Sequence, residues 1–351
     1  MTQSTDILDL TKDELRDALR KEGRPAYRAD QILAWVYKKK AGAFDAMTDL
    51  PAPMREELAG RWLIGTAEAL DTRRSDDGTV KILVGLSDGE TVESVGLPRA
   101  AGPDKLTACL STQAGCRWAC PFCVSGRDGL SRDLRPGEIV QQALLIAAAF
   151  PQRRLSHVVV MGVGEPLDNY EATLAAVRTI NADWGLGIGA RRITISTCGV
   201  VPGIRRLAGE GIQVGLAVSL HAATDELRDR LVPANRKWPL AELLAACADY
   251  AGSTGRQVTF EYVLLPGVNS GAEDAQRVVR LLGGMECSVN VIACNPGEGQ
   301  ASPAASDEAL SDFAEVLRGG GLVATVRRAR GLSVDGACGQ LRAGRLDRPT
   351  P

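Results

Sequence analysis

Three cysteines, Cys116, Cys120 and Cys123, stand four and three residues apart in a run that opens at Cys109 and reads C-L-S-T-Q-A-G-C-R-W-A-C-P-F-C-V-S-G. Positions i, i+4 and i+7 would suit one buried face of a helix. Gly115 before the triplet and Pro121 inside it argue against that, because proline removes a helix hydrogen bond and clashes with the preceding turn. The pattern predicts a loop that curls three thiolates around one point. Structural zinc takes four tetrahedral ligands, usually as two pairs or as pairs completed by histidine. The chain has only two histidines, His157 and His221, and neither is near the loop in sequence. An iron–sulfur cluster also takes four cysteines as a rule, so three leave one iron open to a small-molecule ligand. Zinc and a cluster with an open iron are the two chemistries in play.

The rest of the chain must position that loop. At 351 residues it suits a barrel of about 200–250 residues with a small appendage. No apolar run approaches the roughly 20 residues of a membrane-crossing helix. The first nine residues lack the basic and apolar regions of a signal peptide. A cytoplasmic protein with no membrane role is expected, its nine cysteines reduced and serving as ligands, reactive thiols or core fillers. The net charge of −2 does not announce a nucleic-acid binder, but basic residues cluster at Lys38, Lys39 and Lys40, at Arg127, Arg132 and Arg135, and at Arg327, Arg328, Arg330, Arg342, Arg345 and Arg348. Such patches either contact phosphates or are solvated surface charge.

Residues 1–60 read as a small helical accessory domain, with a T-K-D-E capping box at Thr11 to Glu14 and an apolar stripe at Ile32, Leu33 and Val36. Alternation at Val80, Ile82 and Val84, with Ser87, Asp88 and Gly89 as a turn, makes 61–100 a β-hairpin linker. From 101 to 300 strands alternate with helices. Strands are expected at 106–110, 157–161, 192–196, 214–219, 258–264 and 289–293, with a last one near 323–326. Leu240, Leu243, Leu244 and Cys247, like Leu310, Phe313, Ala314 and Leu317, fall on single helix faces. This cadence predicts an α/β fold, a parallel sheet with right-handed crossovers closing into a partial (β/α)6-type TIM barrel. A C-terminal extension over 301–345 and a tail over 346–351 complete the chain. Barrels of this kind carry chemistry at the C-terminal ends of their strands. The sequence puts the cysteine loop, then Gly162 to Glu165, Ser196, Ser219 to His221 and Asn295 there.

The triplet spacing is the signature of the radical S-adenosylmethionine (SAM) superfamily, and nearly the whole chain resembles the RlmN-type RNA adenine C2-methyltransferases, relatives of the Cfr-type C8-methyltransferases. V-S-L-H-A from Val218, E-L-R-D-R-L-V-P-A-N from Glu226 and A-C-G-Q-L from Ala337 come in that family's order, and Cys109 precedes Cys116 by the expected seven residues. The resemblance implies that Cys116, Cys120 and Cys123 hold a 4Fe-4S cluster. It implies further that Gly164, Glu165, Ser196, Ser219, Leu220, His221 and Asn295 bind SAM. Two SAM molecules are implied per turnover, one methylating Cys338 and one supplying a radical that activates the S-methyl group. Glu93 then takes the C2 proton, and Cys109 resolves the protein–RNA thioether, leaving a disulfide. Implied partners are 23S rRNA near the peptidyl transferase centre, with a tRNA anticodon-loop adenine as a further candidate, an electron-donor protein such as a flavodoxin or ferredoxin, and a thiol reductant. Beside the cluster, Ser125, Leu130 and Asp133 depart from the family's more usual threonine, phenylalanine and asparagine. Three other readings stay open: the same machinery aimed at adenine C8, a zinc-stabilised RNA-binding protein without catalysis, and a radical SAM enzyme acting on a small molecule. The remaining cysteines, Cys198, Cys247, Cys287 and Cys294, read as core or bystander residues.

Overall fold

The apolar runs read from the sequence become neighbouring strands of one sheet. The structure, a computed structural model, describes residues 5–100, 102–295, 304–337 and 339–345. It opens with β1 (Thr5–Asp6), α1 (Lys12–Lys21), α2 (Tyr27–Tyr37), α3 (Ala52–Ala59) and β2 (Trp62–Leu63), the last pairing parallel with β1. The capping box at α1 forms as read: the Glu14 N–H donates to Thr11 Oγ1 at 3.3 Å and the Thr11 N–H to Glu14 Oε2 at 2.8 Å. Leu15 and Leu19 of α1 pack with Ile32, Leu33 and Val36 of α2 in the core.

Strands β3 (Glu68–Arg74), β4 (Val80–Gly85) and β5 (Glu90–Pro98) form an antiparallel meander whose last member pairs with β6 (Lys105–Cys109). Here the sheet changes character. β6 lies antiparallel to β5 but parallel to β9 (Arg154–Val160), and the parallel run continues through β10 (Ile193–Thr197), β11 (Gly215–Ser219), β12 (Val258–Leu264), β13 (Cys287–Ala293) and β14 (Val323–Arg327). A short pair, β7 (Gln113–Gly115) with β8 (Leu130–Asp133), stands apart from it, and the C-terminal β15 (Ala343–Arg345) returns to pair antiparallel with β5. The segment 61–100 is thus continuous with the central sheet.

Parallel strands need helical crossovers, which cover the sheet and bury its outer face. These are α4 (Pro136–Ala149), α5 (Tyr170–Asn181), α6 (Val201–Ala208), α7 (Asp225–Leu231), α8 (Leu240–Thr254), α9 (Ala272–Leu282) and α10 (Asp307–Gly319). Leu243, Ala246, Cys247 and Tyr250 of α8 are fully buried. The Tyr250 hydroxyl reaches the Val214 carbonyl at 2.8 Å. Phe313 of α10 stacks on Tyr262 of β12 with ring centres 4.9 Å apart. Among the described residues no helix is long and apolar enough to cross a membrane.

Polar contacts fasten the N-terminal segment to the helical layer over this sheet. Asp9 accepts the Gly137 N–H at the start of α4 at 2.9 Å and pairs with Arg135, while Lys38 donates to the Gly185 carbonyl at 2.8 Å.

Candidate active site

The loop between β7 and β8 carries the cysteine triplet, and its shape is set by three backbone constraints. The Cys116 N–H donates to the Gly129 carbonyl at 2.9 Å, closing the loop at its neck. Gly115 has φ +87, and a Cβ there would lie 2.0 Å from the Gly129 oxygen, so only glycine fits. The Cys123 N–H turns back onto the Cys120 carbonyl at 3.0 Å. No helix forms over 116–123. Gly115 and Pro121 thus have the effect read from them.

Cys116, Cys120 and Cys123 line a cavity of about 170 Å³ at the C-terminal ends of the parallel strands. Every strand from β9 to β14 contributes near its end: Gly162, Gly164 and Glu165 after β9, Ser196, Thr197 and Cys198 from β10, Ser219 and His221 from β11, Glu261 and Val263 from β12, Asn295 after β13 and Arg327 from β14. Of the residues expected to bind SAM, only Leu220 is not in this wall. It is fully buried behind it, donating its N–H to the Glu261 carbonyl at 3.0 Å.

Burial governs the electrostatics. Glu165 accepts the Cys198 N–H at 2.7 Å and the Leu167 N–H at 3.0 Å, yet desolvation outweighs those donors and pushes its carboxyl up to about 7. A bound cation would relieve that. Burial likewise raises the Cys116 thiol to about 12 and Cys120 further, and iron would displace those protons as a coordinated metal does. No three His, Cys, Asp or Glu among the described residues converge as the ligands of one metal ion would. A 4Fe-4S cluster asks for something else, one thiolate for each of three irons. Three half-buried thiols facing one cavity beside a buried carboxylate fit a cluster with a cationic ligand on its open iron.

His221 is held in the left-handed region, φ 57, by its neighbours on both sides. Its Nδ1 accepts the Val263 N–H at 3.0 Å and its carbonyl accepts from Asn269 Nδ2 at 2.8 Å. Burial lowers its pKa to about 3, so the ring is neutral. It packs against the edge of Phe122, centres 4.8 Å apart. His221 therefore does what a satisfied core histidine does and also lines the cavity.

A second cavity, about 200 Å³, adjoins the first through Met161, Ile292, Asn295 and Arg327. Cys109 lines it, with Val95, Gly336, Ala337 and Leu341, and Arg328 and Arg330 stand in its wall. Cys338 lies outside the described residues, but Ala337 before it lines the second cavity and Gly339 after it lines the first. The segment is tied to the cysteine loop by Val124 N–H to the Gly339 carbonyl at 3.0 Å and Ser125 Oγ to the Leu341 carbonyl at 2.8 Å. Glu93 is in neither cavity. It lines a separate recess with Lys81, Asp335 and Arg342.

Several residues escaped the sequence reading. Cys294 is a core residue and Cys198 packs against the core, as read, but both also line the first cavity, and each comes directly after a strand end, which was the available signal. Arg228 is fully buried and holds the strand ends from behind, donating to the carbonyls of Cys198, Ser219 and Leu220 and to Asn235 Oδ1. Nothing in a helix-like run of charges marks such a residue. The basic clusters are partly committed within the fold: Arg132 to Glu138 and Asp88, Arg135 to Asp9, Arg330 to Asp77 and Arg327 to Glu261.

Known proteins match this architecture. A family model for the radical SAM superfamily matches residues 110–282, and one for the ribosomal RNA large subunit methyltransferase N-terminal domain matches residues 5–64. A probable dual-specificity RNA methyltransferase RlmN of Pelotomaculum thermopropionicum is 51% identical over 338 residues, covering 96% of this chain and 91% of that one. Its counterpart in Symbiobacterium thermophilum is 47% identical over 337 residues, 95% and 90% of the two chains. The crystal structure of a radical SAM methyltransferase from Sphaerobacter thermophilus superposes with a TM-score of 0.93 at 46% identity, covering 96% of this chain and 99% of that one.

Proposed function

Because the chain belongs to the RlmN family of radical SAM RNA methyltransferases, we propose that it methylates C2 of adenine in 23S rRNA near the peptidyl transferase centre, and a tRNA anticodon-loop adenine as well, by way of a methyl group carried on Cys338. One observation carries this reading: the two residues flanking Cys338 line adjoining cavities, one with the cysteine triplet and one with Cys109.

When bound, the cluster and SAM supply a reductively formed carbon radical able to abstract hydrogen from an S-methyl group. The chain's own residues do the rest. Cys116, Cys120 and Cys123 would hold three irons of the cluster, and Glu165, with Gly164 beside it, would take the ammonium of SAM. Ser196, Ser219, His221 and Asn295 would enclose its ribose, carboxylate and adenine, with Leu220 packed behind them. C2 of adenine is an electron-poor carbon and cannot attack a sulfonium methyl itself, which is why a sulfur carrier is needed. Glu93 accepts the C2 proton. The Cys109 thiolate attacks the Cys338 sulfur, the S–C bond breaks with its electron pair on the departing carbon, which takes up a proton to become the C2 methyl group, and a disulfide remains for a thiol reductant to open. An electron-donor protein of the flavodoxin or ferredoxin kind would supply the electron that the cluster chemistry needs.

The test is mass spectrometry of nucleosides from RNA incubated with reconstituted enzyme and methyl-labelled SAM. The expected product is 2-methyladenosine in both rRNA and tRNA fragments. Label at C8 would reassign the enzyme to Cfr-type chemistry, and no labelled nucleoside would remove the RNA substrate.

A further inference from the structure

Lys81 on β4 pairs with Val95 across the ladder, which puts Glu93 on the neighbouring strand diagonal to it and on the same face. Its ammonium lies 2.9 Å from Glu93 Oε1 and 3.4 Å from the Asp335 carbonyl oxygen. Both residues are only 8% exposed. The other carboxylate oxygen, Glu93 Oε2, accepts the Arg342 N–H at 2.9 Å. Lys81 and Glu93 thus hold the chain at Asp335 and again at Arg342. The stretch between contains Cys338 and supplies Gly336, Ala337 and Leu341 to the Cys109 cavity.

A buried carboxylate that loses its cation protonates or moves. A protonated carboxyl cannot take a proton from C2, and a displaced one lets go of the Arg342 end of the segment. We propose that Lys81 is a positioning residue of the proton-transfer step: one ammonium supplies the counter-charge of Glu93 and sets the Cys338-bearing segment in register with it. This rests on the reading of Glu93 as proton acceptor and of Cys338 as methyl carrier. It predicts a defect after methyl loading, since Lys81 touches neither the cysteine triplet nor the first cavity.

The experiment compares wild type, Lys81→Met, Lys81→Arg and Glu93→Gln, each full-length, reconstituted with iron and sulfide, and given SAM and an rRNA fragment. Three quantities are read: methyl on Cys338 before RNA is added, covalent protein–RNA adduct, and the turnover rate. Lys81→Met should carry the wild-type level of methyl on Cys338 and accumulate adduct, as Glu93→Gln does. It should turn over roughly 10- to 100-fold more slowly, short of the roughly 10²–10⁴-fold that loss of a general base costs. Lys81→Arg should recover most of the rate. If Lys81→Met fails to take up iron, Lys81→Gln, which keeps the donors without the charge, must show the same accumulation. Wild-type turnover in the variant, or methyl loading and turnover falling together as for a merely structural residue, overturns the proposal. Arrest in Glu93→Gln without arrest in Lys81→Met removes the role of Lys81 alone. Normal turnover in Glu93→Gln removes the reading of Glu93, and this proposal with it.

Discussion

Replacing Arg228 by methionine removes a wholly buried guanidinium and puts a side chain of similar length, without donors, in its place. The guanidinium donates to the carbonyls of Leu220 at 3.1 Å, Cys198 at 2.8 Å and Ser219 at 2.7 Å, and to Asn235 Oδ1 at 2.8 Å. The Leu220 carbonyl keeps the Ala222 N–H at 2.8 Å, and each buried acceptor that is left unpaired costs about 1–3 kcal/mol. Against that stands relief from holding a cation out of water, a penalty that already lowers the pKa of Arg228. The partners are neutral, so no charge is left stranded, and the net loss should be about 2–4 kcal/mol. At roughly 2–4 °C per kcal/mol for chains somewhat shorter than this one, the melting temperature should fall by about 5–15 °C. Because the released carbonyls lie at the ends of β10 and β11, SAM affinity should fall as well. Calorimetry on the anaerobic apo protein reads the first effect and titration of SAM the second. A melting temperature within about 1 °C of wild type, with unchanged SAM affinity, would refute the reasoning, since a donor to three buried carbonyls cannot be lost without effect.

Two further substitutions probe the cysteine loop and the buried carboxylate. Gly115→Ala puts a Cβ against the Gly129 carbonyl at a positive φ, so the neck of the loop cannot close, and iron bound after reconstitution should drop well below the wild-type ratio; full iron loading would contradict this. Burial raises Glu165 from its ordinary 4.5 to about 7, so the folded apo protein keeps a proton there that the unfolded chain gives up. The associated stability is fully present below pH 4.5 and is lost as pH rises through 7. Glu165→Gln, fixed in the neutral form, should gain stability relative to wild type between about pH 5 and pH 7.5 in thermal unfolding of the apo protein. A difference independent of pH would show that Glu165 does not titrate in that range.

The parallel half of the fold was legible because strands buried on both faces read as apolar runs and their helices as one-sided stripes, so β6 and β9 to β14 fall where expected. The cysteine loop was legible from Gly115 and Pro121, and the cavity from the polar and reactive residues at the C-terminal end of each strand. The features that were not legible depend on partners distant in sequence. Alternation in β4 and β5 places Lys81 and Glu93 on one face, but the groups that meet that face, the Asp335 carbonyl and the Arg342 N–H, arrive some 250 residues later. Such charges read as solvated. Arg228 and Asn235 belong to one motif, E-L-R-D-R-L-V-P-A-N, yet only the fold shows why: the first grips the strand ends and the second orients it while tying to Asp225 and Asp229.

The methyl carrier is central to the chemistry, and peptide mass spectrometry of anaerobically purified wild type and Cys109→Ala tests it most directly. Cys338 should carry a methyl group in the wild type, and Cys109→Ala should hold RNA covalently on the same residue, because no thiol then attacks the thioether. Unmodified Cys338 in the SAM-loaded wild type, with no adduct in the variant, would contradict the relay.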